Sequence, residues 1–247
     1  MTDSLPLEHH LKHQSKHSQD FFWHRIRWHV VGWYIPKKMS SRLLDIGAGA
    51  GFLGGYLKRK FPTCTYCYSE PITHIEKALE KTYGKESNYR NKLSYRDIEV
   101  VTLLDVLEHQ ENDHDFLTEI LHKMAPNSKL IIMVPAFQFL WSEWDKNLGH
   151  FRRYRKKTLR TLLEGADGQW RHSFYLFPEM VPLAIYRKWK HKLFPSSQNT
   201  QNNVEFPRLP PLMNHLLFLT SRLFLLFRSF SPIGTTLVGV FQKNPRI

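Results

Sequence analysis

The stretch that decides the fold is Leu43-Leu44-Asp45-Ile46-Gly47-Ala48-Gly49-Ala50-Gly51-Phe52-Leu53. Its first four residues predict a short buried strand, and the spaced glycines that follow predict a tight turn into a helix beginning near Phe52. The amino end of such a helix offers unpaired N–H groups and the positive end of a dipole to an anionic ligand. The stretch therefore predicts a nucleotide-binding turn.

Two ligand families are compatible with the spacing of these glycines. The run from Gly49 to Gly54 satisfies the dinucleotide pattern G-x-G-x-x-G, as a nicotinamide-dependent oxidoreductase would. The longer run D-x-G-x-G-x-G that begins at Asp45 resembles motif I of the class I S-adenosylmethionine-dependent methyltransferases. Glu70, the next acid after an apolar run, stands where a ribose-binding carboxylate follows in either family.

The resemblance to the methyltransferases implies S-adenosyl-L-methionine as the cofactor and a set of residues around it. The segment Asp105–His109 resembles the one that follows the fourth strand, where the backbone lines the cofactor and the acceptor approaches. A Trp- and Arg-rich segment ahead of motif I can place an arginine, Arg25 or Arg27, near the cofactor carboxylate. The implied cofactor-binding residues are Asp45, Ile46, Gly47, Ala48, Gly49, Gly51, Glu70, Pro71, Asp105, Val106, Leu107 and Arg27.

Apolar runs alternate with helical patterns over residues 43–135, which predicts an α/β fold with a doubly wound parallel sheet. The resemblance extends this to a Rossmann-like seven-stranded sheet whose last strand, Thr235–Gln242, is antiparallel. Its third strand is placed at Lys92–Tyr95. A chain of 247 residues is long enough for one such domain, expected over 21–247, after a flexible lead-in over 1–20.

The segment after the fifth predicted strand carries the candidate acceptor chemistry. Residues 135–154 contain P-A-F-Q-F-L-W-S-E-W-D and then G-H-F-R-R-Y. They resemble the pattern P-A-x(4)-W-S-x(2)-D with G-H-x-R-R-Y of a type 11/23-like methyltransferase subgroup, often found with polyprenol, cell-surface-glycan and lipid biosynthesis. Because ligands bind outside the carboxyl ends of strands in open α/β sheets, this loop is expected to face the acceptor. The predicted catalytic residues are Asp145, His150 and Tyr154.

Two interpretations of this loop remain open from the residues. A histidine near its pKa at neutral pH could accept a proton from the acceptor, while Arg152 and Arg153 hold a carboxylate or phosphate. Alternatively, His150 pins the loop through a backbone hydrogen bond and the two arginines form a solvated basic surface.

Residues 178–233 separate the last two predicted strands and are expected to form a lid or a membrane-contacting helical element. Helical periodicity over 211–230 places most large apolar side chains on one side of a helix. This helix either packs on the body of the protein or lies on a membrane surface. The apolar side comprises Leu212, Leu216, Leu219, Leu223, Leu226, Phe227 and Phe230, and the polar side comprises Asn214, His215, Ser221, Arg222, Arg228 and Ser229, with Phe218 and Leu225 intruding.

Composition limits the partners. A formal net charge of +13 predicts an anionic partner, such as membrane lipid, a phosphorylated acceptor or nucleic acid. Nucleic acid is not favoured, because no RNA-binding module accompanies the charge. Cys64 and Cys67 lack a second ligand pair, so no metal site is predicted. With neither a signal-peptide pattern nor a spanning apolar run, a cytoplasmic location is expected, peripheral to the inner membrane face if the helix binds lipid.

The predicted function is methyl transfer from S-adenosylmethionine to a small amphipathic or lipid-linked acceptor of anionic character, such as a lipid, a polyprenol- or glycan-linked compound or a polyketide-type intermediate. Three alternatives remain: an RNA methyltransferase, a nicotinamide-dependent oxidoreductase, and a non-catalytic membrane-associated scaffold.

Overall fold

The computed structural model describes residues 20–38, 40–193 and 209–245, with 190–193 described by their backbone alone. The predicted lead-in, apart from Asp20, lies outside the described residues. The elements in chain order are α1 Phe22–Gly32, β1 Ser41–Ile46, α2 Phe52–Lys60, β2 Cys64–Ser69, α3 Thr73–Tyr83, β3 Val100–Leu104, α4 Asp113–Lys123, β4 Lys129–Pro135, α5 Glu143–Asn147, α6 Lys156–Thr161, β5 Gly168–Leu176, α7 Val181–Leu193, α8 Pro211–Leu226 and β6 Thr236–Lys243.

The strands form one sheet in the order β2-β1-β3-β4-β6-β5. The pairs β1 with β2, β1 with β3 and β3 with β4 are parallel, whereas β6 runs antiparallel to both β4 and β5. The predicted Rossmann-like α/β fold with an antiparallel last strand is therefore confirmed. The carboxyl ends of β1, β2, β3 and β4 meet at one edge, which is where such a fold binds its ligands.

The apolar strands are buried on both faces of the sheet. Successive residues such as Leu43 and Leu44 belong to different core clusters, as Val100 and Val101 do, because side chains alternate across a strand. This explains why β3 and β4 are continuous apolar runs and not alternating ones.

The predicted strand at Lys92–Tyr95 does not form, so the sheet of the described residues has six strands and the predicted seven is wrong. Asn88, just ahead of this segment, forms an isolated bridge with Tyr68 of β2. Tyr95 forms another with Met124 and does not extend the sheet. The segment is polar and its one leucine, Leu93, is 90% exposed. It therefore lacks the apolar residues that a strand on this sheet would bury.

Helix α8 packs on α1 through the side that the sequence marks as polar. Asn214 accepts a hydrogen bond from the Phe22 amide at 2.8 Å and donates to the Asp20 carbonyl at 2.8 Å. The Arg25 guanidinium lies 3.8 Å from the centre of the Phe218 ring, and Ser221 and Leu225 are buried. The seven residues of the predicted apolar side are all exposed, Leu226 by 71% and Phe230 by 85%.

None of the helices in the described ranges is long and apolar enough to cross a membrane.

Candidate active site

The glycine turn after β1 has the conformation that the sequence predicts. Gly47 and Gly51 have φ angles of 72° and 71°, in the left-handed region that disfavours other residues. A Cβ at Gly47 would lie 2.5 Å from Cγ2 of Val106, and one at Gly51 would lie 2.5 Å from Cδ2 of Leu79. A side chain at either position would therefore clash with Val106 or Leu79 unless that neighbour moved.

Asp45 links β1, the strand that leads into the turn, to the two strands on either side of it. It is almost fully buried between β2 and β3, accepting hydrogen bonds from the Tyr66 hydroxyl at 3.0 Å and the Thr102 hydroxyl at 2.8 Å. Burial raises the pKa of Asp45 to about 6, and these two hydrogen bonds offset only part of that rise. Its side chain therefore joins three strands, and its cofactor role stays a prediction.

Asp45 should make stability depend on pH. Because its pKa is higher in the folded state than its ordinary 3.8, its stabilising protonation is complete below pH 4 and is lost as pH rises through 6. Asp45→Asn should match the parent near pH 4 and exceed it near pH 7 by up to about 3 kcal/mol in free energy of unfolding. Urea unfolding at the two pH values measures this, and an equal difference at both would contradict it.

Glu70 ties the end of β2 to the glycine turn. It is buried and its carboxylate accepts hydrogen bonds from the Gly49 amide at 2.8 Å and the Ile72 amide at 3.0 Å. Burial raises the pKa of Glu70, and the two amides moderate the rise. Each carboxylate oxygen has a second lone pair, so ribose hydroxyls could still donate to it.

Arg27 on α1 reaches the same edge of the sheet. Its Nη1 is paired with Asp105, which directly follows β3 and has a φ of 58°. Arg27 is 3% exposed, yet among the described residues its Nε and Nη2 have no hydrogen-bond partner. A buried guanidinium with two unused donors fits a ligand carboxylate, which is what the cofactor of this resemblance carries.

The remaining predicted cofactor residues are distributed around this turn. Ile46 ends β1, Ala48 is half-buried in the turn, and Pro71 is exposed after β2. Val106 packs beside Gly47, whereas the Leu107 side chain lies in the core.

Asp145 is the centre of the predicted acceptor loop. It is fully buried at the start of α5, where its carboxylate accepts from the Ser142 amide at 2.9 Å. Its two oxygens are held by Arg153 at 2.7 and 2.9 Å, and its Oδ1 lies 3.0 Å from Nδ1 of His150. Burial acts to raise the pKa of Asp145, but the hydrogen bonds from His150 and Arg153 outweigh it and lower the pKa to about 2. Asp145 therefore stays ionised and orients the His150 ring.

The two loop arginines bind the protein itself, which contradicts their predicted role as anion ligands. Arg153 holds Asp145 and the Ala136 carbonyl, and Arg152 pairs with Asp113 at 2.9 Å and with the Glu111 carbonyl at 2.6 Å. The same loop thus fixes its own shape through buried and half-buried ion pairs.

Tyr154 is also placed differently from its predicted catalytic role. Its side chain is 2% exposed, and its hydroxyl donates to Asp113 at 2.8 Å and to the Leu107 carbonyl at 3.2 Å. Burial and the neighbouring Asp113 carboxylate raise the pKa of Tyr154. These contacts make it a residue that positions the loop against the segment after β3.

Sequence reasoning missed Glu108 and His109 as site residues. Glu108 is fully buried, and its backbone carbonyl accepts from the Phe151 amide at 2.8 Å, beside His150. Burial raises the pKa of Glu108 strongly, and the Asp105 carboxylate adds to that rise. The rings of His109 and His150 lie 4.7 Å apart, centre to centre. The signal in the sequence is an acid and a histidine in the segment that follows β3, where ligands are expected.

Comparison with known proteins identifies the family. The family described as "Methyltransferase domain" matches residues 25–170, more than half of the chain. The mitochondrial ubiquinone biosynthesis O-methyltransferase of Schizosaccharomyces pombe is 30% identical over 104 residues, covering 38% of this chain and 37% of that protein. The chain therefore belongs to the methyltransferase domain family, and the predicted class, a class I S-adenosylmethionine-dependent methyltransferase, is confirmed.

Solved structures share the fold. Phosphoethanolamine N-methyltransferase 2 of Haemonchus contortus, in complex with S-adenosyl-L-methionine, matches with a TM-score of 0.56 at 12% identity, covering 91% of this chain and 53% of that one. The YcgJ protein of Bacillus subtilis matches with a TM-score of 0.55 at 11% identity, covering 91% and 100%. The chain spans 37% of the yeast relative and 53% of the Haemonchus protein.

Proposed function

We propose that this chain transfers a methyl group from S-adenosylmethionine to a small amphipathic or lipid-linked acceptor that binds beside His150. The observation that carries the proposal is Arg27, whose buried Nε and Nη2 donors have no partner within the described ranges and lie at the edge of the sheet that also carries the glycine turn. Bound S-adenosylmethionine would supply an electrophilic methyl group. The chain would contribute mainly by aligning the two reactants and excluding water.

On the acceptor side, His150 is the residue held ready for contact. Asp145 fixes its Nδ1, which leaves Nε2 as the atom for an acceptor. Asp145 and Arg153 act as positioning residues, since both are occupied with the loop. The charges of Arg27, Asp105 and Asp145 all act on the Glu108 carboxyl group. Glu108 therefore lies between the cofactor half and the acceptor half of the proposed site.

Two similarities support a small acceptor. The name of the yeast relative places it in ubiquinone biosynthesis as an O-methyltransferase, and the Haemonchus protein is named for N-methylation of phosphoethanolamine. The amphipathic, lipid-linked and anionic character of our acceptor rests on this chain, through the net charge of +13 and the exposed apolar side of α8. We place the protein in the cytoplasm, in peripheral contact with the inner face of the membrane through residues 211–230.

The cofactor half of the proposal is tested at Glu70. Glu70→Ala should weaken S-adenosylmethionine binding by about ten- to hundredfold, because a carboxylate that accepts from ribose hydroxyls contributes roughly 1.5–3 kcal/mol. Titration calorimetry measures the affinity, with Glu86→Ala, an exposed acid outside the site, as the matched control. Melting temperatures show whether loss of the Gly49 and Ile72 contacts has unfolded the turn. Unchanged affinity in Glu70→Ala, or tight binding of a nicotinamide dinucleotide by the parent, would overturn the assignment.

A further inference from the structure

The Glu108 carboxyl group is a buried acid beside two histidines. It is fully buried, and neither Oε1 nor Oε2 has a hydrogen-bond partner among the described residues. Nearly all buried polar groups in folded proteins are bonded, because an unbonded one costs the full desolvation of that group. A buried acid whose two oxygens lack partners in the described part of the chain therefore indicates a ligand that accepts electron pairs at this point.

Two imidazole rings converge on the same place. One carboxylate oxygen of Glu108 and one ring nitrogen each of His109 and His150 lie within 4.8 Å of one another. Two imidazoles and one carboxylate form a ligand set that suits zinc-type first-row divalent ions, which bind at about 2.0–2.2 Å. Tetrahedral ligand atoms at these bond lengths lie about 3.4 Å apart, so side-chain rotations that bring the three atoms up to about 1.4 Å closer would complete such a set.

The contacts of His150 match those of a metal ligand. A histidine that binds a metal through one nitrogen commonly donates its other N–H to a carboxylate, which fixes the ring. His150 has its Nδ1 at 3.0 Å from Asp145, and Asp145 is itself held by Arg153 and by the Ser142 amide. The ring is therefore oriented by a buried and rigid group, with Nε2 on the remaining side.

We propose that Glu108, His109 and His150 bind a zinc-type divalent cation with one coordination position open to the methyl acceptor. The role toward the acceptor rests on the proposed function, whereas the binding of the cation does not. An acceptor hydroxyl in the open position would have a lowered pKa, so its proton passes to solvent. The oxygen electron pair then forms the bond to the methyl carbon as the carbon–sulfur bond breaks, releasing neutral S-adenosylhomocysteine. The sequence predicted no metal site because its ligands come from two distant segments.

The test uses cobalt(II) as a spectroscopic probe. Histidines 9, 10, 13 and 17 offer imidazoles of their own, so the background is the full chain with these four replaced by serine. We expect it to bind one Co²⁺ per chain, with visible absorption of a four- or five-coordinate ion that Zn²⁺ abolishes. Glu108→Gln and His150→Asn should each weaken binding at least tenfold, whereas His122→Asn, an exposed histidine on α4, should not.

The outcomes separate the two proposals. If the background chain binds no Co²⁺, or if Glu108→Gln binds it as tightly as the background does, the metal site is wrong. His109→Asn, which changes a half-buried residue, replaces any variant that melts early. A chain that binds S-adenosylmethionine but not cobalt overturns the metal site alone. One that binds cobalt in the predicted manner but not S-adenosylmethionine supports the metal site and overturns the cofactor assignment.

Discussion

Replacing His150 with alanine should lower methyl transfer by ~10²–10⁴ while leaving the affinity for S-adenosylmethionine within a fewfold of the parent. We assign the ring to the acceptor side, because it contacts Asp145 of the predicted acceptor loop and the ring of His109. A group that removes the acceptor proton, or holds a cation that assists its removal, affects the chemical step far more than cofactor binding. The fold should survive, because Asp145 keeps its contacts with Arg153 and Ser142.

The measurement is transfer of tritium from methyl-labelled S-adenosylmethionine into an organic-solvent extract of membrane lipids, with calorimetry for cofactor affinity. His74→Ala, which changes an exposed histidine at the start of α3, is the matched control and should retain full transfer. Transfer by His150→Ala within a fewfold of the parent would show that the ring only pins the loop. A parallel loss of cofactor affinity would move His150 to the other half of the site.

The glycine turn and the strands around it were predictable because their signals are local, whereas the cofactor contacts of their residues stay predictions. The glycines that enforce the turn, the apolar runs of β1, β3 and β4, and the acid after β2 are all short patterns whose meaning does not depend on the rest of the chain. The pairing of Arg27 with Asp105 was less accessible, since it joins α1 to β3 across the sheet edge. The resemblance placed Arg27 near the cofactor, but neither it nor the pattern of residues predicted the pair with Asp105.

The acceptor half depended on contacts between distant segments, and there the sequence was a weaker guide. One of the two interpretations of the sequence made Arg152 and Arg153 ligands of an anionic acceptor. In the structure they instead pair with the buried carboxylates of Asp113 and Asp145. Tyr154 was predicted to be catalytic, but its buried hydroxyl donates a hydrogen bond to Asp113. Glu108 stands in a segment after β3 where ligands are expected, but its proximity to His150 could not be predicted, because the loop after α5 brings that histidine beside it only in the folded chain.

Helix α8 shows the same limit for packing. Its periodicity correctly separates an apolar from a polar side, but it does not predict which side faces the protein. That depends on the groups that α1 presents to the helix. α1 presents a backbone amide at Phe22 and the side chain of Arg25, which suit Asn214 and the face of the Phe218 ring. Asn214 and Ser221 of the polar side consequently pack against the body together with the intruding Phe218 and Leu225, and the leucine-rich side is left outside.

That outward side should bind membranes, and Leu223→Asp combined with Phe227→Asp should abolish the association. Both residues are more than half exposed, so their contacts with the body are few. Full burial of such a side chain is worth roughly 1.5–3 kcal/mol, so losing two from lipid lowers partitioning by about 10²–10⁴. Helices with an apolar side and nearby basic residues lie in the membrane interface, and the exposed Tyr186, Arg187 and Trp189 of α7 extend this character.

Flotation with vesicles that contain anionic lipid, alongside thermal melting, distinguishes a lipid contact of α8 from packing of its side chains on the protein. Leu93→Asp with Asn91→Asp changes the charge by the same amount at an exposed segment away from α8, and this control should still float. Loss of flotation in the α8 variant at an unchanged melting temperature is the expected result, because the exposed side contributes little to folding. A parent that never floats would exclude the membrane surface. A variant that melts early would mean that Leu223 and Phe227 pack against protein in solution, and the exposed side would then serve the fold and not a lipid partner.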